Sequence, residues 1–182
     1  MATRAGPGSA TTHTRPAASS AVVRSGAWAG IVYVLAWLIG LFLAPPAPDP
    51  FGSAVTINAY FSAHRPAAMI QSVFIHGLAG AALLGLTAAL WNYLAARDTA
   101  GPRRVMLAAG VLAAAVSFLQ VAFMIAIYVH VGQQGSADGT KALFNTINKA
   151  DTVKPILLAV FVRDLLAGHA RGKLVITVTG AG

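Results

Sequence analysis

Three long apolar stretches dominate the chain: residues 26–44, 67–96 and 105–131. None of them contains Asp, Glu, Lys or Arg. The hydrocarbon core of a bilayer is about 30 Å thick, so a helix needs roughly 20 apolar residues to cross it. Each stretch comes close to that length or exceeds it. The sequence therefore predicts an integral membrane protein of the all-α class, folded as a transmembrane helical bundle.

The charge balance fits a membrane surface better than a nucleic acid. The 182 residues include 13 Lys and Arg against five acidic residues, which gives a net charge of +8. The basic residues flank the apolar stretches, where anionic lipid headgroups attract them. We therefore expect the lipid bilayer as the main partner and no nucleic acid. The chain has no cysteine, which excludes a thiolate metal site and a cysteine nucleophile.

The sequence divides into a membrane domain and two tails. Residues 1–25 are rich in Ala, Gly, Pro, Ser and Thr and lack a hydrophobic period, which is typical of a disordered segment. Residues 26–167 form the predicted membrane domain, and residues 168–182 form a carboxyl-terminal tail. A signal peptide has an apolar core of only about 7 to 15 residues, so we expect residues 26–44 to be a retained span.

Basic residues are distributed unevenly between the two sides that alternating spans create. The side that holds the amino terminus carries arginines near the span ends: Arg4, Arg15, Arg24, Arg97, Arg103 and Arg104. The opposite side carries fewer basic residues: Arg65, Lys141, Lys149 and Lys154. Lys and Arg are concentrated on the cytoplasmic side of membrane proteins. We therefore place the amino terminus in the cytoplasm and the protein in a bacterial cytoplasmic membrane.

A fourth apolar run, residues 153–167, breaks the pattern of the other three, because Arg163 and Asp164 interrupt it. Each such charge costs about 2.5 to 3.5 kcal/mol at a helix centre on insertion scales. The run is compatible with a short helix that dips from the outer face, with a strained span, or with a span whose charges lie at the inner interface. The sequence thus predicts three spans plus a possible short or incomplete fourth.

Small residues recur at four-residue spacing in the first two spans. They are Ala36 and Gly40 in the first span, and Gly77, Ala81 and Gly85 in the second. Lipid provides no hydrophobic drive for helices to associate, so close backbone approach across small residues is a principal way to pack them. We expect these faces to pack within the chain, with a homo-oligomer or a membrane-protein partner as the alternative.

Polar residues inside the spans are the candidates for a functional site. A rise of about 1.5 Å per residue, counted from the connection between the second and third spans, puts His76 about one turn from both Gln120 and Tyr128. A histidine in a membrane can change charge near neutral pH and relay protons. Alternatively, neutral His76 donates to Gln120 or to a backbone carbonyl and holds two helices together. Because we expect no carboxylate inside the membrane, we favour this structural role.

The loops offer little further chemistry. Ser53 is placed to cap a short helix on the outer membrane face. The Asp and Asn residues between positions 138 and 151 lack the spacing of a calcium loop. No carboxylate pair, metal-ligand spacing or nucleophile elbow is present, so we expect no enzyme, no metal and no cofactor. The sequence favours a non-enzymatic accessory or interaction subunit. The alternative is a minor transporter or proton-linked component that uses His76, Gln120 and Tyr128.

Two short motifs resemble a known group of proteins. Residues 59–65 (AYFSAHR) lead directly into the second span, and residues 148–154 (NKADTVK) lead into the fourth apolar run. Over residues 26–162 the chain resembles actinobacterial multi-pass membrane proteins with four or more spans. The resemblance implies an architecture and no activity. Members of the group continue through a complete fourth span, so this chain departs from their pattern at Arg163, and an altered reading frame there is one hypothesis.

Overall fold

The computed structural model describes residues 20–95 and 100–179, and these residues are folded into helices without a strand. The helices are α1 (Ser20–Gly40), α2 (Ala54–Ser72), a π-helical segment (Val73–Leu78), α3 (Ala79–Ala95), α4 (Ala100–Gly132) and α5 (Ala137–Thr179). Three helical stretches among the described residues are long and apolar enough to cross a membrane: Ser20–Gly40, Ala54–Ala95 and Arg103–Gly132. The predicted all-α membrane bundle is confirmed. Most of the predicted amino-terminal tail lies outside the described residues.

The second span begins well before the apolar stretch that predicts it. Ser53 caps α2, because its hydroxyl oxygen accepts a hydrogen bond from the Thr56 amide at 3.1 Å. The helix that starts there is not separated from the second span by a loop. It bends at His64, where φ is −118° and ψ is 17°, and then continues. Pro66 explains the bend, since its ring clashes with the preceding turn and it has no amide hydrogen to donate.

Small residues form the contact between α1 and the helix that runs from α2 into α3. Ala36 is buried, and a side chain at Gly40 would collide with Ile75. Further along the same contact, a Cβ at Gly85 would lie 3.5 Å from Ala29. Lipid-facing side chains cover the rest of α1. Close backbone approach therefore holds α1 in place, as the sequence pattern indicates.

The stripe of small residues in the second span does not face one neighbour. A Cβ at Gly77 would approach Val121 of α4 at 3.7 Å, whereas Gly85 faces α1 and Ala81 is exposed. A four-residue step overshoots a helical turn by about 40°, so three residues at this spacing spread over about 80°. This drift is enough to turn Gly77 and Gly85 toward different helices.

α5 runs antiparallel to α4 from one end of the bundle to the other. At the α4–α5 turn, Phe144 and Ile147 pack against Ile127. At the opposite end, Phe161 packs against Met106. The predicted third loop and the fourth apolar run are therefore parts of one helix. Pro155 lies inside this helix without ending it, and the backbone of the predicted carboxyl-terminal tail stays helical as far as Thr179.

The α4–α5 turn is built around one imidazole ring. His130 Nε2 lies 3.0 Å from the carbonyl oxygen of Ser136. The amide of Gly135 donates back to the His130 carbonyl at 2.8 Å, and Gln134 adopts a left-handed conformation with φ 57°. A side chain at Gly135 would collide with the ring. The tight turn sets α5 directly beside α4.

Substitution of Gly110 tests this packing. A Cβ there would lie 2.9 Å from Thr87 Cγ2 and 3.0 Å from the Phe161 ring. Thr87 cannot easily move, because it is buried and its hydroxyl donates to the Leu83 carbonyl. We expect Gly110→Ala to lower the free energy of unfolding in detergent by about 1 to 3 kcal/mol.

The matched control is Gly30→Ala, because nothing lies within 4 Å of a Cβ built at that glycine. It should leave the melting temperature unchanged or raise it slightly, since alanine favours helix. Equal melting temperatures for the two variants would contradict the placement of α5 against α3 and α4.

Candidate functional site

Four side chains from three helices meet inside the bundle, and we call them the polar cluster: His76, Gln120, Asp151 and Lys154. The π-helical segment supplies His76, α4 supplies Gln120, and α5 supplies the two charged residues. π-helical turns inside α-helices occur frequently at functional sites. The polar cluster is therefore the candidate site.

The contact between Lys154 and His76 is the centre of the polar cluster. Lys154 Nζ lies 3.0 Å from His76 Nδ1, and both residues are buried. An ammonium group has only donors, so Nδ1 must accept and the ring must be neutral, with its hydrogen on Nε2. The contact is thus compatible with a charged Lys154 beside a neutral His76, and it disfavours a positive charge on both groups.

Asp151 supplies a negative charge to the polar cluster. Its Oδ1 lies 3.5 Å from Lys154 Nζ and accepts a hydrogen bond from Gln120 Nε2 at 2.6 Å. Gln120 is fully buried and also donates to the Ile147 carbonyl at 3.2 Å. The side chain of Asp151 is 46% exposed, against 11% for that of Lys154. The carboxylate therefore joins the buried lysine to the surface of the bundle.

Two buried polar atoms beside these contacts have no hydrogen-bond partner in the described part of the chain: Ser72 Oγ and Gln120 Oε1. Ser72 precedes His76 by about one helical turn. Buried polar groups in proteins nearly always have a partner, so unpaired ones mark sites with capacity for further bonds. Ser72 Oγ and Gln120 Oε1 are thus free to accept further hydrogen bonds beside the polar cluster.

The polar cluster lies close to the level where α1 ends. Gly40 is the last residue of α1 and faces Ile75, the neighbour of His76. From this level the bundle continues toward the α3–α4 connection with apolar packing. The buried hydroxyls on that side, Thr87 and Ser117, donate to carbonyls of their own helices at 2.7 and 3.1 Å. The cluster reaches the surface of the bundle through the half-exposed side chain of Asp151.

Of the three residues predicted to form a cluster, Tyr128 is misplaced. Close approaches of Gly77 to Val121 and of Gly80 to Ser117 put His76 level with residues 121–122, within one turn of Gln120. Tyr128 then lies roughly 10 Å further along α4. Its ring instead lies under the guanidinium of Arg65, 4.7 Å from the ring centre to Cζ.

Sequence reasoning missed Asp151 and Lys154, which it assigned to an outer loop or its border. A signal for them exists in the spacing of α5. Phe144, Ile147, Asp151 and Lys154 follow one another at three- or four-residue steps, which is the period of one helical face. Because the first two members of this series are buried apolar residues, the two charges that continue it also turn toward the bundle.

Comparisons with known proteins return no match to any family model, curated protein or solved structure. The function of the polar cluster must therefore follow from its own geometry and chemistry.

Replacing Asp151 by asparagine tests the ion pair. The change removes the negative charge nearest to the buried ammonium of Lys154, and we expect the free energy of unfolding to fall by about 1 to 3 kcal/mol. The double variant Asp151→Asn with Lys154→Met should recover much of that loss, because it removes the uncompensated charge as well. Denaturation in detergent measures the free energy of unfolding of the single and the double variant.

Asp138→Asn is the control, since Asp138 is an exposed carboxylate in the first turn of the same helix. We expect an effect below about 1 kcal/mol there. Additive effects of the two substitutions in the double variant would contradict a direct interaction between Asp151 and Lys154.

Proposed function

We propose that this protein is a non-enzymatic, multi-pass subunit of the bacterial cytoplasmic membrane that responds to protonation on one side. The observation that carries the proposal is the 3.0 Å contact between Lys154 Nζ and His76 Nδ1. This contact exists only while the imidazole is neutral. A histidine is the side chain that changes charge most readily near neutral pH.

We further propose that α5 is a complete fourth crossing. It lies beside α4 along the whole bundle, and Phe161 packs at the level of Met106 near the start of α4. Arg163 and Asp164 then fall at the α3–α4 end, where they contact each other at 3.1 Å. Charges at the end of a span cost little, because they reach the polar interface. A complete fourth crossing would match the pattern of the actinobacterial multi-pass group that residues 26–162 resemble.

Protonation of His76 would turn the attraction between His76 and Lys154 into a repulsion. An imidazolium and an ammonium repel each other, and Lys154 can then approach Asp151 more closely. The neighbours of the ring supply no other charge: Gln120 of α4 is neutral, and α1 presents Gly40 and its apolar surroundings. A closer pair between Lys154 and Asp151 would disturb the bond from Gln120. The signal would thus reach the contact between α4 and α5.

A transporter is the second candidate, because Asp151 provides the carboxylate that a proton relay needs. The packing of the other half of the bundle opposes it. Between the polar cluster and the α3–α4 end, Leu83, Ala113 and Ala114 form an apolar core. The two buried hydroxyls there are bonded within their own helices. The described residues therefore support a one-sided sensor rather than a pathway across the membrane.

The pH dependence of stability tests the sensor. The folded contact favours neutral His76, so stability is fully present at pH 8. It should fall below about pH 6.5, where an unfolded histidine binds a proton that the folded contact disfavours. In lipid nanodiscs we expect the melting temperature to drop by roughly 2 to 4 °C for each kcal/mol lost in a chain of this size. His76→Gln should flatten this profile between pH 8 and pH 5.

His64→Gln is the matched control, because His64 belongs to the same bent helix and stacks its ring against Tyr60 away from the polar cluster. It should retain the pH dependence of the wild type. A profile that His76→Gln leaves intact would disprove the role of this histidine as the proton sensor.

Proton flux distinguishes the two candidates. Liposomes that contain the wild-type protein and an enclosed pH-sensitive dye should equilibrate no faster than empty liposomes after an acid pulse. Wild-type flux that is lost in both His76→Gln and Asp151→Asn would reject the one-sided sensor and support the transporter.

A further inference from the structure

Arginines at the α3–α4 end form a second group of charges, separate from the polar cluster. The guanidinium of Arg103 lies over the Trp91 ring, 4.1 Å from Cζ to the ring centre. Arg104 follows it in the sequence and is exposed. The stacking fixes the plane of one guanidinium at the end of the apolar bundle.

Arg103 retains unused hydrogen-bonding capacity. Its Nε is shielded from solvent and has no hydrogen-bond partner in the described part of the chain. The carboxylate of Asp164, at the same end of the bundle, lies beside Arg163 instead, with Oδ1 at 3.1 Å from Nε. A guanidinium has five N–H donors, and a phosphate or carboxylate can accept two of them at once.

The local electrostatics favour an anion at this position. A helix amino terminus carries about half a positive elementary charge, and negative groups there are stabilising. The first turn of α4 contains no acidic residue and instead contributes Arg103 and Arg104 close to it. Two cations near the positive end of a 33-residue helix are mildly unfavourable, and an anion beside them would offset that cost.

The surroundings of these arginines point to a lipid as the source of that anion. The side chains that follow on α4 include exposed apolar residues, Val105 at 44% and Leu112 at 53% exposure. In a membrane such a surface contacts acyl chains, and the arginines next to it lie at the depth of the headgroups. Basic sites beside spanning helices recognise anionic headgroups in this way.

We infer that Arg103, held by Trp91, and Arg104 bind the phosphate of an anionic phospholipid whose acyl chains lie along α4. This site does not depend on the function proposed for the polar cluster. It lies at the opposite end of the bundle, so it links the protein to the composition of the other leaflet.

Native mass spectrometry of the full chain in detergent tests the lipid site, with phosphatidylglycerol and phosphatidylcholine added in equal amounts. We expect preferential retention of phosphatidylglycerol and a loss in affinity of about tenfold in Arg103→Ala, as for one charge-assisted contact. Arg103→Lys keeps the charge and removes the planar stacking, so it should bind between the two. Arg103→Lys also provides the binding measurement if Arg103→Ala does not fold.

Lys149→Ala is the control, because it removes an exposed charge near the other end of the bundle. Unchanged retention in this variant supports a specific site, whereas an equal loss there would overturn it in favour of diffuse charge attraction. Equal retention of the two lipids by the wild type would also overturn it. Displacement of the lipid by millimolar inorganic phosphate would reject the lipid and assign the site to free phosphate.

Discussion

The arrangement of this bundle depends on the need of one buried ammonium group for partners. Lys154 is 8% exposed and packs against helices whose apolar stretches, residues 67–96 and 105–131, contain no Asp, Glu, Lys or Arg. An isolated charge in such surroundings would cost several kcal/mol. His76 and Asp151 reduce that cost from two directions, and Gln120 holds the carboxylate in position. These contacts set which residues of α5 lie level with His76 and Gln120.

The same contacts separate the two halves of the bundle. On the side of the α4–α5 turn, an apolar core includes Phe61, Ile127 and Phe144. On the other side, apolar side chains fill the space between α3, α4 and α5 as far as Phe161. The polar cluster lies between these cores and reaches the surface of the bundle through the half-exposed Asp151. A charge change at His76 would be passed on through helix packing, whereas a transporter needs a polar path through both cores.

The sequence predicts the membrane class, three spans, close packing at Ala36 and Gly40, and a polar cluster that includes His76 and Gln120. These follow from hydropathy and helical period, which are local properties. Hydropathy does not identify α5 as a span, because Asp151 and Lys154 lower its mean hydropathy. Their contact with each other depends on the tertiary structure, which hydropathy and helical period do not predict. The misplacement of Tyr128 arises from counting levels along ideal helices, since the packing of Gly77 against Val121 shifts the alignment by about one turn.

The central claim is that α5 brings Lys154 next to His76. The chain has no native cysteine, so the pair His76→Cys and Lys154→Cys can be joined by a short thiol-specific bifunctional reagent in membranes without a background reaction. The account predicts an intramolecular cross-link for this pair and none for Lys154→Cys with Trp28→Cys, because Trp28 is 67% exposed on the outer face of α1. A failure of the first pair to react, while each single cysteine remains reactive, would contradict it.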